Sequence, residues 1–238
     1  MIKLFCIPHA GGSASIYSKW RAFLNPAIEL HPVELCGRGS RHKEDFYQSI
    51  DDAAEDIYSQ IDYLLDGRFA LFGHSMGSLL AYEVCRKIKE RKGMDPVHLF
   101  ASGRQAPQCK RSGDLIHTKP DHAVISEIVR LQGTTSELVG NQIFLEYFLP
   151  IIKADYKIIE QYNLSSRDIL LNCDMTVMCG TDDDFVYEEL SAWQQHTAGT
   201  CRIQYFNGGH FYLNDEMHSV VRFINSQLIN VLTEKQQR

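Results

Sequence analysis

The sequence lacks a membrane span: no stretch approaches the roughly 18 consecutive apolar residues that crossing a bilayer as a helix requires. Its opening run, MIKLFCIPHAGG, is also too short for the apolar core of a signal peptide, so a soluble, unexported, cytoplasmic chain is expected. An excess of basic residues is missing as well. With 24 Lys and Arg against 30 Asp and Glu the formal charge is −6, which argues against non-specific binding to nucleic acid, because phosphate contacts need a cationic face. The seven cysteines show no C-x-x-C spacing, and they predict neither a metal site nor disulfides but reduced thiols packed as small hydrophobes. No internal repeat or low-complexity tract interrupts the chain. What is there is 238 residues, 44% of them apolar, enough to bury a large core in one domain carrying an insertion.

Short apolar runs alternate with longer stretches of helical period, the pattern of a parallel sheet with crossover helices. Strands are predicted at Ile2–Ile7, Ile28–Leu35, Phe69–Phe72, Val97–Ser102, Met175–Cys179 and Arg202–Phe206. The first is continuously apolar, as suits a strand buried on both faces. Helices are predicted at Ser15–Leu24, Ile50–Leu65 and Val220–Leu232, and another along the face made by Ala81, Val84, Cys85 and Ile88. The fold class is therefore α/β, a doubly wound and mostly parallel sheet with helices on both faces. Between the fourth and fifth strands lies a long segment with its own helical patterns, His122–Leu131 and Ile143–Gln161. An insertion of that length, about residues 104–163, reads as a helical lid.

One pentapeptide demands a chemical reason. Gly73-His74-Ser75-Met76-Gly77 matches G-x-S-x-G, in which a serine occupies a tight strand-to-helix turn and its hydroxyl stands clear of the sheet. The apolar run before it and the helical face after it supply the context the motif needs. A serine hydroxyl is a poor nucleophile at neutral pH, so a base must take its proton, and the base needs a partner that orients it. In α/β-hydrolases the chain order is serine, acid, histidine.

His210 is the best of the ten histidines, because Gly208-Gly209-His210 directly follows a strand and precedes the last helix, which puts it at the same sheet edge as Ser75. His196 and His218 fall in helical patterns, and His9 and His74 are read as shaping the pocket. The acid is one of Asp182, Asp183 and Asp184, in the loop after the fifth strand. A tetrahedral intermediate further needs two amide donors for its oxyanion. Met76, the residue after the nucleophile, supplies one, and the loop Pro8-His9-Ala10-Gly11-Gly12 supplies the other.

The segments CIPHAGGSASIY, ELCGRGSR, FALFGHSMGSLLAYEV, ASGRQAP, LQGTTSELV, LPIIKADYKIIEQY, VMCGTDDDFV with SAWQQHT, and FNGGHFYL together span nearly the whole chain. As a set they resemble the type II thioesterases that accompany non-ribosomal peptide and polyketide synthases, with the medium-chain fatty-acid synthase thioesterases as relatives. The resemblance implies an α/β-hydrolase fold, a nucleophile at Ser75, a base at His210 and an acid at Asp183, with Asp182 as the fallback. It also implies oxyanion amides at Ala10 and Met76. Cys36, His9 and Lys153 depart from the family pattern, where proline is usual at the first, an aromatic or other residue is often found at the second, and arginine is common at the third.

The reaction so implied is hydrolysis of acyl or aminoacyl thioesters held on the phosphopantetheine arm of a carrier protein, through an acyl-Ser75 intermediate, as an editing step in synthase pathways. No cofactor or metal is expected. The expected partners are acyl or peptidyl carrier domains, with no nucleic acid and no membrane, and the enzyme itself is expected to be monomeric. Arg38, Arg41 and Lys43, or Lys110 and Arg111, are candidates for a basic landing area, and Leu131, Leu138, Phe144, Phe148 and Ile152 for an acyl channel under the lid. A carboxylesterase of small oxygen esters shares every one of the three catalytic residues, and a catalytically weak synthase-binding partner could share the fold.

Overall fold

The structure is a computed structural model that describes residues 1–109, 114–131, 141–164 and 169–234. Six strands form one sheet: β1 (Ile2–Ile7), β2 (Ile28–Pro32), β3 (Phe69–His74), β4 (His98–Ser102), β5 (Asp174–Gly180) and β6 (Cys201–Phe206). Their order is β2-β1-β3-β4-β5-β6, and every neighbouring pair is parallel. β3 and β4 are buried at every residue, which is why they read as unbroken apolar runs rather than alternating ones.

Alternation within those runs decides which face each side chain serves. Phe5 and Ile7 of β1 and Phe69 and Leu71 of β3 pack with α1 (Ile50–Ile61) and α2 (Met76–Lys92) on one face. Leu4, Cys6, Ala70 and Phe72 point the other way, against Tyr17, Trp20 and the C-terminal helix with Val220, Val221, Ile224 and Leu228. The sheet thus carries a core on each side. β2 leaves β1 toward one edge and β3 lies on the other side of β1, so the crevice beyond the carboxyl ends of β1 and β3 is the topological switch point, where ligands of open α/β sheets bind.

Two of the differences from expectation have clear local reasons. The first helix is a 3₁₀ helix, Ala14–Ala22, because the residues it buries, Tyr17 and Trp20, are three apart and the 3₁₀ repeat stacks them on one side. The Tyr17 hydroxyl donates to the Ile7 carbonyl at 2.8 Å. β2 ends at Pro32 instead of continuing to Leu35, since proline offers no N–H to the ladder and is tolerated at this edge strand. All seven cysteines are free. Burial pushes the Cys173 and Cys179 thiols up to about 12, so neither is poised as a thiolate.

The core also holds histidines in neutral form. His98 stacks on Phe100 with ring centroids 4.3 Å apart, and its Nε2 shares a hydrogen bond of 2.9 Å with Thr176 Oγ1. His196 Nδ1 meets the Tyr82 hydroxyl at 2.8 Å. Desolvation lowers both rings to about 4. An unfolded histidine titrates near 6.5, so between about pH 6.5 and 4 the unfolded chain binds more protons than the native one. Stability is therefore full above that window and is lost as pH falls through it, with a slope of up to about 1.4 kcal/mol per pH unit for each such ring. Urea unfolding at pH 7, 6 and 5 should show the decline, and His98→Gln should make it shallower; an unchanged slope would contradict the assignment.

Candidate active site

Ser75 is the one non-glycine residue with positive φ among the described residues, at φ 55 and ψ −114. It stands between the last residue of β3, His74, and the first of α2, Met76. Such a conformation costs about 1–3 kcal/mol and persists only where its surroundings over-determine it. Here the Ser75 N–H donates to the Ser102 carbonyl at 2.7 Å, and the Ser78 hydroxyl bonds to the carbonyls of Gly73 at 2.8 Å and Ser102 at 2.6 Å. The flanking glycines are needed because backbones meet there. A Cβ on Gly73 would lie 1.9 Å from the Gly77 carbonyl oxygen, and one on Gly77 would lie 2.2 Å from that of Ile7.

The other two candidates come together from different loops. His210 follows the Gly208-Gly209 turn after β6, and its Nδ1 hydrogen donates to Asp183 Oδ2 at 2.9 Å. Both side chains are shielded, 8% and 3% exposed. The loops that carry them are tied by backbone, with the Thr181 N–H on the Phe206 carbonyl at 2.8 Å and the Asp182 N–H on that of Gly208 at 3.0 Å. Of the three adjacent carboxylates, Asp183 alone meets the imidazole; Asp182 is exposed, and Asp184 pairs with Arg130 at 2.5 Å. With Nδ1 committed to Asp183, Nε2 is the nitrogen left for a substrate-side proton.

Ser75, Asp183 and His210 line one cleft of about 310 Å³, together with Gly103, Gln105 and Leu131. Among the described residues no hydrogen bond joins Ser75 Oγ to His210, an arrangement common in unliganded enzymes whose contacts tighten with substrate. Behind His210, at a ring distance of 5.1 Å, lies His74. Its Nδ1 shares a 2.8 Å bond with Ser102 Oγ, which in turn meets the Tyr212 hydroxyl at 2.6 Å. Burial holds His74 well below the ordinary imidazole value, so the wall behind His210 is uncharged and does not oppose a proton arriving there. His9 is likewise lowered, to about 4, chiefly by desolvation; its ring sits edge-on to Phe211 at 4.8 Å. Among the described residues neither histidine has a carboxylate partner of the kind His210 has.

In the loop after β1 the amides sort themselves by partner. The Gly12 N–H closes a turn on the His9 carbonyl at 2.9 Å, and the Gly11 N–H is taken by Asp155 Oδ2 at 2.8 Å. Among the described residues Ala10 N–H has no protein acceptor, and Met76 N–H, at the start of α2, has none within its helix. These are the two amides that the resemblance implied for an oxyanion.

Several expected surface and channel roles fall out differently. Arg38 is not a landing residue: it is 2% exposed and forms a bidentate pair with Asp155, at 2.6 and 2.7 Å. Arg41 is spoken for by Asp56 and Glu44. Lys43 is exposed, while Lys110, Arg111 and Leu138 lie outside the described residues, as does the side chain of Phe144. Leu131 lines the cleft, and Ile152 and Phe148 pack in a small apolar cluster with Val124 and Ala10. At the departing positions, the Cys36 N–H donates to the Tyr47 hydroxyl at 3.2 Å, and Lys153 pairs with Asp121 at 2.5 Å. The Arg38–Asp155 pair was invisible in sequence, since its partners stand 117 residues apart.

Residues 2–228 match the family model described as a thioesterase domain. The chain is 35% identical to thioesterase PikA5 of Streptomyces venezuelae, over 96% of this chain and 81% of that protein. Among solved structures it is similar to ClbQ from the colibactin NRPS/PKS pathway, with a TM-score of 0.93, 34% identity and 98% of each chain covered. It is also similar to the RedJ thioesterase from the prodiginine biosynthetic pathway in Streptomyces coelicolor, with a TM-score of 0.87, 32% identity, and 95% and 85% of the two chains covered.

Proposed function

From its membership of the thioesterase family, which makes this chain an α/β-hydrolase acting on thioesters, we propose that it cleaves acyl or aminoacyl groups from the phosphopantetheine arm of synthase carrier proteins. Its role is editing: clearing groups that stall a non-ribosomal peptide or polyketide assembly line. The observation that carries the substrate class is the similarity over 98% of the chain to a protein of an NRPS/PKS pathway. The enzyme acts as a cytoplasmic monomer beside its synthase, and the helix Gln142–Glu160, within the insertion of about residues 104–163 of which 110–113 and 132–140 lie outside the described residues, serves as a lid over the bound acyl chain.

The chemistry follows from the cleft. Ser75 Oγ attacks the thioester carbonyl while His210 Nε2 takes its proton, and Asp183 stabilises the imidazolium through Nδ1. The amides of Ala10 and Met76 hold the oxyanion. Collapse expels the sulfur as a thiolate, which takes the proton held by the His210 imidazolium and leaves as the thiol, returning His210 to its neutral form; with a conjugate thiol pKa of about 8.5 the sulfur needs little protonation in the transition state. Water, deprotonated by the neutral His210, then attacks the acyl-Ser75 ester, and His210 returns that proton to Ser75 Oγ as the C–O bond breaks and the acid is released. Every step uses side chains and amides of the chain itself, and no cofactor enters the route.

The substrate class is tested by comparing an acyl group on a loaded carrier with the same group on a small oxygen ester. The thioesterase reading expects kcat/KM at least about 100-fold higher for the carrier, because binding remote from the reacting carbonyl is converted into rate. Equal turnover of the free ester would favour a carboxylesterase. Absence of turnover of either, with retained binding to the carrier, would favour a binding partner.

A further inference from the structure

Arg38 and Asp155 are buried, charged and outside the catalytic trio, yet they touch the loop that holds Ala10. Arg38 lies in the turn after β2, whereas Asp155 projects from α4 (Gln142–Glu160), the long helix that follows α3 (Asp121–Arg130) in the proposed lid segment. Two parallel N–H···O bonds of 2.6 and 2.7 Å join them, with side-chain exposures of 2% and 3%. Asp155 Oδ2 also accepts the Gly11 N–H at 2.8 Å, and Arg38 Nη1 lies 3.4 Å from the Gly12 carbonyl. The helix approaches the loop closely enough that a Cβ on Gly11 would lie 2.7 Å from Ile152 Cγ1.

This geometry does two things to the loop. It consumes the Gly11 amide, so that the neighbouring Ala10 amide is the donor left for a substrate oxygen. It also fixes the peptide plane on the far side of Ala10 from outside the loop, by a carboxylate whose own direction is set by a guanidinium fork. Short loops with two glycines do not hold such a plane unaided. An oxyanion donor acts only if aimed before the charge develops, and loss of one donor lowers kcat by about 100- to 1,000-fold in a serine hydrolase.

We propose that Arg38 and Asp155 are positioning residues: the lid helix, through this ion pair, aims the Ala10 amide at the reacting carbonyl. The proposal rests on the thioesterase reading of the Ser75 cleft. It makes catalytic competence depend on α4 being seated, so that the helix covering the acyl chain also completes the oxyanion site. Neither residue touches substrate.

The test uses the full chain and a short acyl N-acetylcysteamine thioester, with an alkyl boronic acid as a probe whose tetrahedral adduct on Ser75 places an oxygen at the oxyanion amides. Removing one partner would strand a buried charge, so the pair is replaced together, as Arg38→Met with Asp155→Leu, an exchange that often leaves stability intact. Arg38→Lys is the milder second variant, keeping the charge but losing the fork. Thermal unfolding identifies which variants fold, and a folded variant of either kind decides. The double variant should lose about 100-fold in kcat, with KM within about threefold of wild type. Its boronic acid affinity should fall by a similar factor, and Arg38→Lys should show a smaller loss of the same form. A merely structural pair would leave the boronic acid affinity and kcat of the folded protein unchanged, and that result overturns the proposal. So does failure of both variants to fold, which makes the pair a requirement of folding. Wild-type protein that does not turn over the thioester would instead remove the thioesterase reading itself.

Discussion

Replacing Ser75 by alanine is expected to lower acyl release from a loaded carrier by at least about 10⁴-fold, while carrier binding changes little. The size follows from what the hydroxyl does. Without it no acyl-enzyme forms, and only the oxyanion amides and substrate positioning remain to assist direct attack by water. The substitution is also expected to be gentle on the fold, because Ser75 Oγ makes no hydrogen bond that holds the turn; the Ser75 amide and the Ser78 hydroxyl do that. Alanine must still occupy φ 55, a conformation it favours no more than serine does. Single-turnover release from an acyl carrier measures the loss. A Ser75→Ala protein retaining more than about a tenth of wild-type rate would mean that the acyl group leaves by another route.

The second large effect is expected at Asp183. Asp183→Asn preserves the shape of the side chain but removes the charge that stabilises the imidazolium, and the amide can turn the His210 tautomer the wrong way round. In a serine hydrolase the equivalent change costs about 10⁴-fold in kcat. The neighbours supply the control. Asp184 pairs with Arg130 where both side chains are open to water, 71% and 51% exposed, so Asp184→Asn should alter kcat by no more than about twofold and stability by at most about 1 kcal/mol. Asp182 is exposed, and Asp182→Asn is expected to behave likewise. Rates measured at pH 7 for the three substitutions separate the acid from its neighbours; a larger loss at 182 or 184 than at 183 would reassign the role.

The contrast among these three carboxylates shows where sequence reading stops. The elbow was legible because its signs are local, an apolar strand, two flanking glycines and a helix that follows at once, although the backbones that hold it, at Ile7 and Ser102, are distant in sequence. His210 was legible for a related reason, since a Gly-Gly turn after a strand has few places to point. The choice among Asp182, Asp183 and Asp184 was not, because consecutive loop residues face different ways and only the tie between the two loops decides which side chain meets the imidazole. The resemblance to a family supplied Asp183 where the residues alone left three possibilities.

Charges were read least well. Arg38 and Arg41 look like surface cations in a G-R-G-S-R turn, and what removes them from the surface is distant in sequence: Asp155 on α4 for one, Asp56 on α1 for the other. The same holds for the path from His74 through Ser102 to Tyr212, assembled from the ends of β3 and β4 and the turn that follows β6. Strand and helix placement, by contrast, depended on hydrophobic period and shifted at ends, as where Pro32 stopped a strand, while the spacing of Tyr17 and Trp20 tightened the first helix throughout.

The account turns on Ser75 being an activated nucleophile. Its most direct test is covalent labelling of the native protein with a fluorophosphonate, followed by mass mapping of the digested chain. One adduct per chain on the peptide containing Ser75 is expected, lost when the protein is unfolded before labelling and lost in Ser75→Ala. A catalytically active preparation that takes up no label at Ser75, or that carries it on another residue, would contradict the account.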